Sequence, residues 1–234
     1  MARTLDPVAH ARRRDAFLDA AERLLQSKGY EDMSVADVLK ELDTSKGAFY
    51  HYFDSKQDLA AAVMDRTSER LAAALAPVVD HQTGLAPLDK LQQFLAAAGQ
   101  WKTHRRELLL ELVGVWYSDA NAVVRQRLRR AITSRIAPLL AELIDQGIQA
   151  RVFTATDPES SAVVLLDLAL DLNDRLAEAL LTGAEAGHAA RTTAAYTDAL
   201  ERVLGVPSGS VVLIDPTVLA AWFPDRAESN GDHR

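Results

Sequence analysis

Between Ser45 and Phe53 the sequence reads SKGAFYHYF, and it gathers one ammonium, two phenols, one imidazole and a glycine in a single short stretch. At about 100° per residue, a helix over these residues turns Phe49, Phe53 and, at their margin, Tyr52 to one face. Lys46, Gly47, Tyr50 and His51 then share the other. Two rings pack inward, and the outer face carries hydrogen-bonding groups around a position that has no side chain. Glycine inside a helix costs about 1 kcal/mol relative to alanine, so Gly47 points to a second body approaching that backbone closely. Such a face suits the DNA major groove: lysine reaches guanine edges, tyrosine donates to phosphate, and small residues such as Gly47 and Ala48 let the helix in. The alternative is that Tyr50 and His51 pack against another part of the same chain.

Such a helix has to be held, and the flanking sequence supplies the means. Apolar spacing is helical nearly everywhere, with a period of two suggested only at Ser210 to Ile214. A first helix runs from about Pro7 to Lys28 on a Phe17, Ala21, Leu24, Leu25 stripe, with Gly29 as its C-cap. Ser34 and Asp37 form a capping box ahead of Val35, Val38, Leu39 and Leu42. The turn DTSK, with Thr44 and Ser45, ends that second helix. A third runs from near Ser45 through Phe53, and a second capping box, Ser55 with Asp58, opens a long fourth helix from Lys56 to about Val79. A short helix, a tight turn and a second short helix with a polar outer face make a helix-turn-helix arrangement.

Composition limits the function classes. The 234 residues are 48% hydrophobic and 25% charged, enough for one large or two modest globular domains. With no cysteine, disulfides, thiolate metal sites and cysteine nucleophiles are excluded. No signal peptide or membrane-spanning run is read in the sequence, and a cytoplasmic location is expected. The net charge of -7 argues against a non-specific DNA coat, which would need a basic surface. Positive charge is instead local: Arg3, Arg12, Arg13 and Arg14 lie near the start, and Lys46 and Lys56 flank the rings. Those arginines are either part of an electrostatic footprint or a solvated arm. No nucleophile elbow, phosphate loop, dinucleotide fingerprint or histidine pair at metal spacing appears, so neither an enzyme nor a metal or cofactor protein is expected.

Residues 12 to 59 resemble the DNA-binding domain of the TetR/AcrR family of bacterial transcriptional regulators. The resemblance rests on Ser34, Val35, Asp37, Val38, Ser45, Gly47, Tyr50, Phe53, Ser55, Lys56 and Leu59 at matching places. It implies an all-α protein with an N-terminal three-helix domain containing the helix-turn-helix and a C-terminal helical bundle for ligand binding and dimerisation. The domains expected are 1–55 for DNA, 56–79 as a connecting helix, 80–224 for ligand and dimer, and 225–234 as a disordered tail. Residue by residue, the resemblance implies phosphate contacts from Ser34, Tyr50, Tyr52 and Lys56. Thr44 and Ser45 join the contact surface, and Lys46, Gly47, Ala48 and His51 face base edges. Ser34 can equally serve as a cap, and Tyr52, where many relatives have histidine, can equally be part-buried beside Phe53.

Further helices are expected near 86–103, 106–117, 121–149, 158–182 and 188–204, with Val218 to Phe223 docked on the body. The 158–182 segment is apolar on more than one face, as a helix between a core and a partner subunit would be. The resemblance implies a homodimer through 158–182 and 188–204, with double-stranded operator DNA and an unidentified small-molecule effector as partners and no membrane. Trp101, Trp116 and Tyr117 are candidate pocket walls, with core packing as the alternative. Asp167, Asp171 and Asp174, extended by Glu178, form an acidic stripe that could meet a cationic ligand, pair with Arg125, Arg129 or Arg135, or stay solvated. The function expected is that of a ligand-responsive repressor; the alternatives are an activator of the same fold and an all-helical small-molecule-binding protein or enzyme with no DNA role.

Overall fold

In the computed structural model, residues 6–80, 84–116 and 122–223 are described, with the backbone alone at 114–116, 122–125 and 127. The described residues form ten helices: α1 (Pro7–Asp32), α2 (Val35–Glu41), α3 (Lys46–Tyr50), α4 (Lys56–Val79), α5 (Pro87–Thr103), α6 (Arg106–Trp116), α7 (Ala122–Gln149), α8 (Pro158–Thr182), α9 (Ala186–Leu204) and α10 (Pro216–Trp222). The expected all-α class holds among them.

Local chemistry sets the ends. Asp6 accepts from the Val8 amide at the start of α1, and Asp157 accepts from the Ser160 amide at the start of α8. Helices α8 and α9 end on Gly183 and Gly205 in the left-handed region, where glycine has no Cβ to clash. Gly29 also departs from helical geometry, at φ 77° and ψ 167°, so α1 kinks at the residue the sequence marks as its cap. The third helix is shorter than its periodicity predicts. It stops at Tyr50, and the amides of Tyr52 and Phe53 both turn back to the Phe49 carbonyl. Ser210 to Ile214 is not a strand: the Val211 amide donates to Glu201 Oε1 at 2.9 Å and the Val212 amide to Gln92 Oε1 at 2.9 Å, so side chains take the bonds that a ladder would have made.

Two compact units result. The first comprises residues 1–68 and 105–131, and its core joins Phe17, Leu18 and Leu25 of α1 to Val38, Phe49, Phe53, Leu59 and Val63. Leu108 and Leu112 of α6 belong to this core. Thus α6, although it lies beyond residue 80 in the chain, packs with α1. The second unit comprises residues 69–104 and 132–234. Leu91, Phe94, Leu143, Ile144, Leu165, Leu166 and Leu204 form its main core, and Phe223, just after α10, joins Ala179 and Ala189 in a smaller cluster. The chain passes between the units inside α4, between α5 and α6, and again inside α7.

Candidate nucleic-acid interface

The outer face of α3 rests on an aromatic floor. Phe49 and Phe53 are buried, with ring centroids 5.8 Å apart, and Phe17 of α1 meets them at 5.8 and 6.0 Å in edge-on contacts. Large rings locked in this way fix the roll of a helix too short to hold its own axis. Ser45 supplies the missing cap, accepting from the Ala48 amide at 3.3 Å.

Opposite that floor, Lys46, Gly47, Tyr50 and His51 are exposed, and Ala48 is half-buried. Tyr50 keeps 48% of its surface open, while its ring edge leans on Phe49 at 5.3 Å. The Lys46 ammonium lies 5.8 Å from the Tyr50 ring centroid. A Cβ built on Gly47 would meet only Ser45 Oγ, at 3.9 Å. Nothing in the fold therefore requires glycine there.

Tyr52 behaves differently from its neighbours. Its ring lies 4.7 Å from His10 and 5.5 Å from Phe17, half-buried against α1. The His51 ring closes the group, 5.6 Å from His10 and 5.0 Å from Tyr52. His10 was not singled out in the sequence; it lies seven residues before Phe17, on the same helical stripe, and that spacing was the available signal. Arg13 and Arg14 are likewise placed on the structure rather than waving free. Arg13 donates to Thr44 Oγ1 at 2.7 Å and stands over Phe17, and Arg14 over Phe53.

Two of the expected phosphate ligands already have partners. The Ser34 hydroxyl accepts from the Asp37 amide at 3.2 Å and donates to Asp37 Oδ2 at 2.7 Å, completing the capping box from its own side. Lys28, at 2.6 Å, and Ser34 stabilise the Asp37 carboxylate and hold its pKa far below the usual range. Lys56 has more partners still. Its ammonium donates to the carbonyls of Tyr30, Met33 and Glu31 at 2.7, 2.9 and 3.3 Å, and lies 4.2 Å from the Tyr30 ring centroid. All three N–H donors are thus directed at the C-terminal turn of α1, where helix carbonyls lack intrahelical partners.

The candidate ligand residues are described only in part. Trp101 is half-buried near the end of α5, the Trp116 side chain and Tyr117 lie outside the described residues, and Asp167 is exposed on α8. Asp171 pairs with Arg175 of its own helix at 2.9 Å and accepts from the Tyr196 hydroxyl of α9. On α7, Arg135 meets Glu69 at 3.0 Å, and Arg125 lies outside the described side chains. A cleft of about 590 Å3 opens beside this group between α8 and α9, lined in part by Arg175, Glu178, His188, Arg191 and Tyr196. Among the described residues no cluster suited to a metal ion occurs, and no helix is long and apolar enough to cross a membrane.

The comparisons agree with this geometry. The family model for bacterial regulatory proteins of the tetR family matches residues 17–63. That for the tetracyclin repressor-like C-terminal domain matches residues 111–180. Between them they span half of the sequence, and the chain belongs to the TetR family. It is 28% identical over 175 residues to the HTH-type transcriptional repressor Rv1474c of Mycobacterium tuberculosis, covering 66% of this chain and 90% of that one. It is also 46% identical over 52 residues to an HTH-type transcriptional regulator from the lacX 3' region of Lactococcus lactis subsp. lactis, covering 22% of this chain but only 26% of that protein. In structure it resembles the reduced form of E. coli NemR, with a TM-score of 0.52 at 20% identity over 84% of this chain and 99% of that one.

Proposed function

We propose that the protein is a ligand-responsive transcriptional repressor that binds operator DNA as a homodimer, reading base edges with the outer face of α3. The observation that carries this reading is Gly47. It sits in the middle of an exposed helical face, next to Lys46 and Tyr50, with no internal contact to justify the missing side chain. Lys46, Gly47, Ala48 and His51 face the groove floor, and Tyr50 donates to a phosphate. Tyr52 takes its place with His10 as the packed edge of this surface. Thr44, held by Arg13, and Ser45 set the entry of the reading helix. Ser34 and Lys56 we assign to holding α2 and α4 in register, since their polar groups have partners within the fold.

Dimerisation through α8 and α9 has support in the exposed apolar residues of α8, Val163, Val164 and Leu181, which would otherwise face water. Two copies present two reading helices to half-sites related by a two-fold axis. An effector bound in the second unit biases a two-state equilibrium of the long α4, which is continuous between the units, and so changes the spacing of the reading helices. By linkage the operator must weaken effector binding by the same factor as the effector weakens operator binding.

The test is fluorescence anisotropy of the full chain on its own upstream intergenic duplex and on a scrambled one, at two salt concentrations. Lys46→Ala should erode the preference between the duplexes, and Tyr50→Phe should weaken both alike. Binding to neither duplex would remove the DNA reading and leave the outer face of α3 to another partner.

A further inference from the structure

The short α3 ends at Tyr50, and the residues after it are turned onto α1. The amides of Tyr52 and Phe53 both return to the Phe49 carbonyl, a tightening that brings further rings toward the start of the described chain. His10 of α1 receives them. Its ring stands 4.7 Å from Tyr52 and 5.6 Å from His51, and His51 and Tyr52 are 5.0 Å apart. Two imidazoles and a phenol from opposite sides of α2 in the chain thus form one cluster.

This cluster borders the outer face of α3. His51 is exposed together with Lys46, Gly47 and Tyr50, while His10 and Tyr52 are half-buried. A body laid on that face therefore meets an imidazole of α1 beside the imidazole that follows α3. Imidazole is the side chain that changes charge between about pH 5 and 8. The charged groups around the cluster come from both helices. On α1, Asp6 lies one turn before His10 and accepts from the Val8 amide, and Arg13 and Arg14 lie one turn after it, over the rings of Phe17 and Phe53. On α3, Lys46 lies over the Tyr50 ring, and beyond Phe53 the chain carries the exposed Asp54. A polyanion arriving at this mixed but mainly cationic edge changes its balance, because each phosphate brought near favours the imidazolium form.

We propose that His10 is a DNA contact supplied by α1: as imidazolium it donates to a backbone phosphate beside the groove that α3 enters, so that operator binding takes up protons and tightens as pH falls. The inference rests on the reading of α3 as the DNA-reading helix and adds to it a residue, a flank of the interface and a dependence on pH. His51 keeps its place at the base edges, and Tyr52, in contact with both imidazoles, holds them apart. Binding and protonation are linked, so the duplex favours the imidazolium by the same factor as the imidazolium favours the duplex.

Fluorescence anisotropy of the full chain on its upstream intergenic duplex and on a scrambled one, at about pH 6 and about pH 8 and at two salt concentrations, decides the point. His10→Phe keeps the ring and removes the charge; His10→Gln keeps a hydrogen-bonding group and removes the charge. Wild type is expected to bind both duplexes more tightly at the lower pH. Both variants are expected to bind about fivefold to tenfold more weakly than wild type there, alike on the two duplexes because a phosphate contact carries no sequence, with a gap that narrows as pH rises. Their salt dependence at the lower pH is expected to be shallower by about one unit of slope per bound subunit. A wild-type affinity that does not change with pH would overturn the proposal, and so would a gap between wild type and variants that is absent, constant with pH or confined to the upstream duplex. Circular dichroism reports whether each variant folds, and either variant alone, with the wild-type pH comparison, carries the decision. Wild type that binds neither duplex at either pH loses the DNA reading and this inference with it, whereas operator binding without the pH-dependent gap removes this inference alone.

Discussion

Lys56 at the first residue of α4 donates to the Met33 carbonyl at 2.9 Å, so the cation that opens one helix closes the end of another. With the Tyr30 and Glu31 carbonyls it fixes the corner from which α2 departs, and α2 in turn supports the turn into α3. Replacing Lys56 by Met should strand these carbonyls and cost about 2 kcal/mol of stability. Lys56→Arg, whose planar fork cannot reproduce three converging bonds, should recover little of it. Urea denaturation checks both, and equal midpoints for wild type and Lys56→Met would show the staple to be idle.

Asp37 links the cap of α2 to Lys28. Its pKa lies far below the ordinary carboxylate value because the folded state favours the charged form. The stability it confers is therefore present near neutrality and above about pH 4, and it is lost as pH falls from there toward the depressed folded pKa. Thermal melts should show wild type more stable than Asp37→Asn near neutrality, with the gap narrowing below about pH 4. A gap that widens in acid would contradict the capping role.

Lys102 titrates in the opposite sense. Its folded pKa is about 8 against an ordinary 10.5, so the charged form is disfavoured by folding. That cost is present below pH 8 and is relieved as pH rises between the two values. Lys102→Met should accordingly melt higher than wild type near neutrality, and its advantage should shrink through this window. A constant advantage across it would mean that packing, and not charge, separates the two proteins.

Gly147 marks a close approach that no local pattern betrays. A Cβ there would stand 2.0 Å from Phe153 Cδ2, and Phe153 is buried and donates its amide to the Gly147 carbonyl. Gly147→Ala should therefore destabilise by about 1–3 kcal/mol through overpacking, although alanine is the better helix former. Chemical denaturation gives the sign directly.

These cases show which parts of the molecule were legible in the sequence. Capping boxes and apolar stripes are local, so Ser34 with Asp37, Ser55 with Asp58 and the spans of α4, α5 and α8 could be read along the chain. The inward turn of Phe49 and Phe53 followed from the helical period. The acceptors of Lys56 could not be read, because they lie at the far end of α1. Nor could Asp171, whose Tyr196 partner is on another helix, or α6, whose packing on α1 depends on a path through α4 and α5. The 210–214 segment misled for a related reason: Gln92 and Glu201, distant in sequence, satisfy its amides. Lys102 passed unnoticed because one lysine in an amphipathic helix looks solvated until its surroundings are known.

The central claim is that the open position at Gly47 exists for DNA. Anisotropy titration of wild type and Gly47→Leu on the upstream duplex, with melting temperatures recorded in parallel, tests it most directly. A Cβ at this exposed position has room within the fold, so Gly47→Leu should melt at or slightly above the wild-type temperature while losing about a hundredfold or more in operator affinity as bulk enters the groove contact. Unchanged operator affinity in a folded Gly47→Leu protein would show that α3 does not lie against DNA through this face.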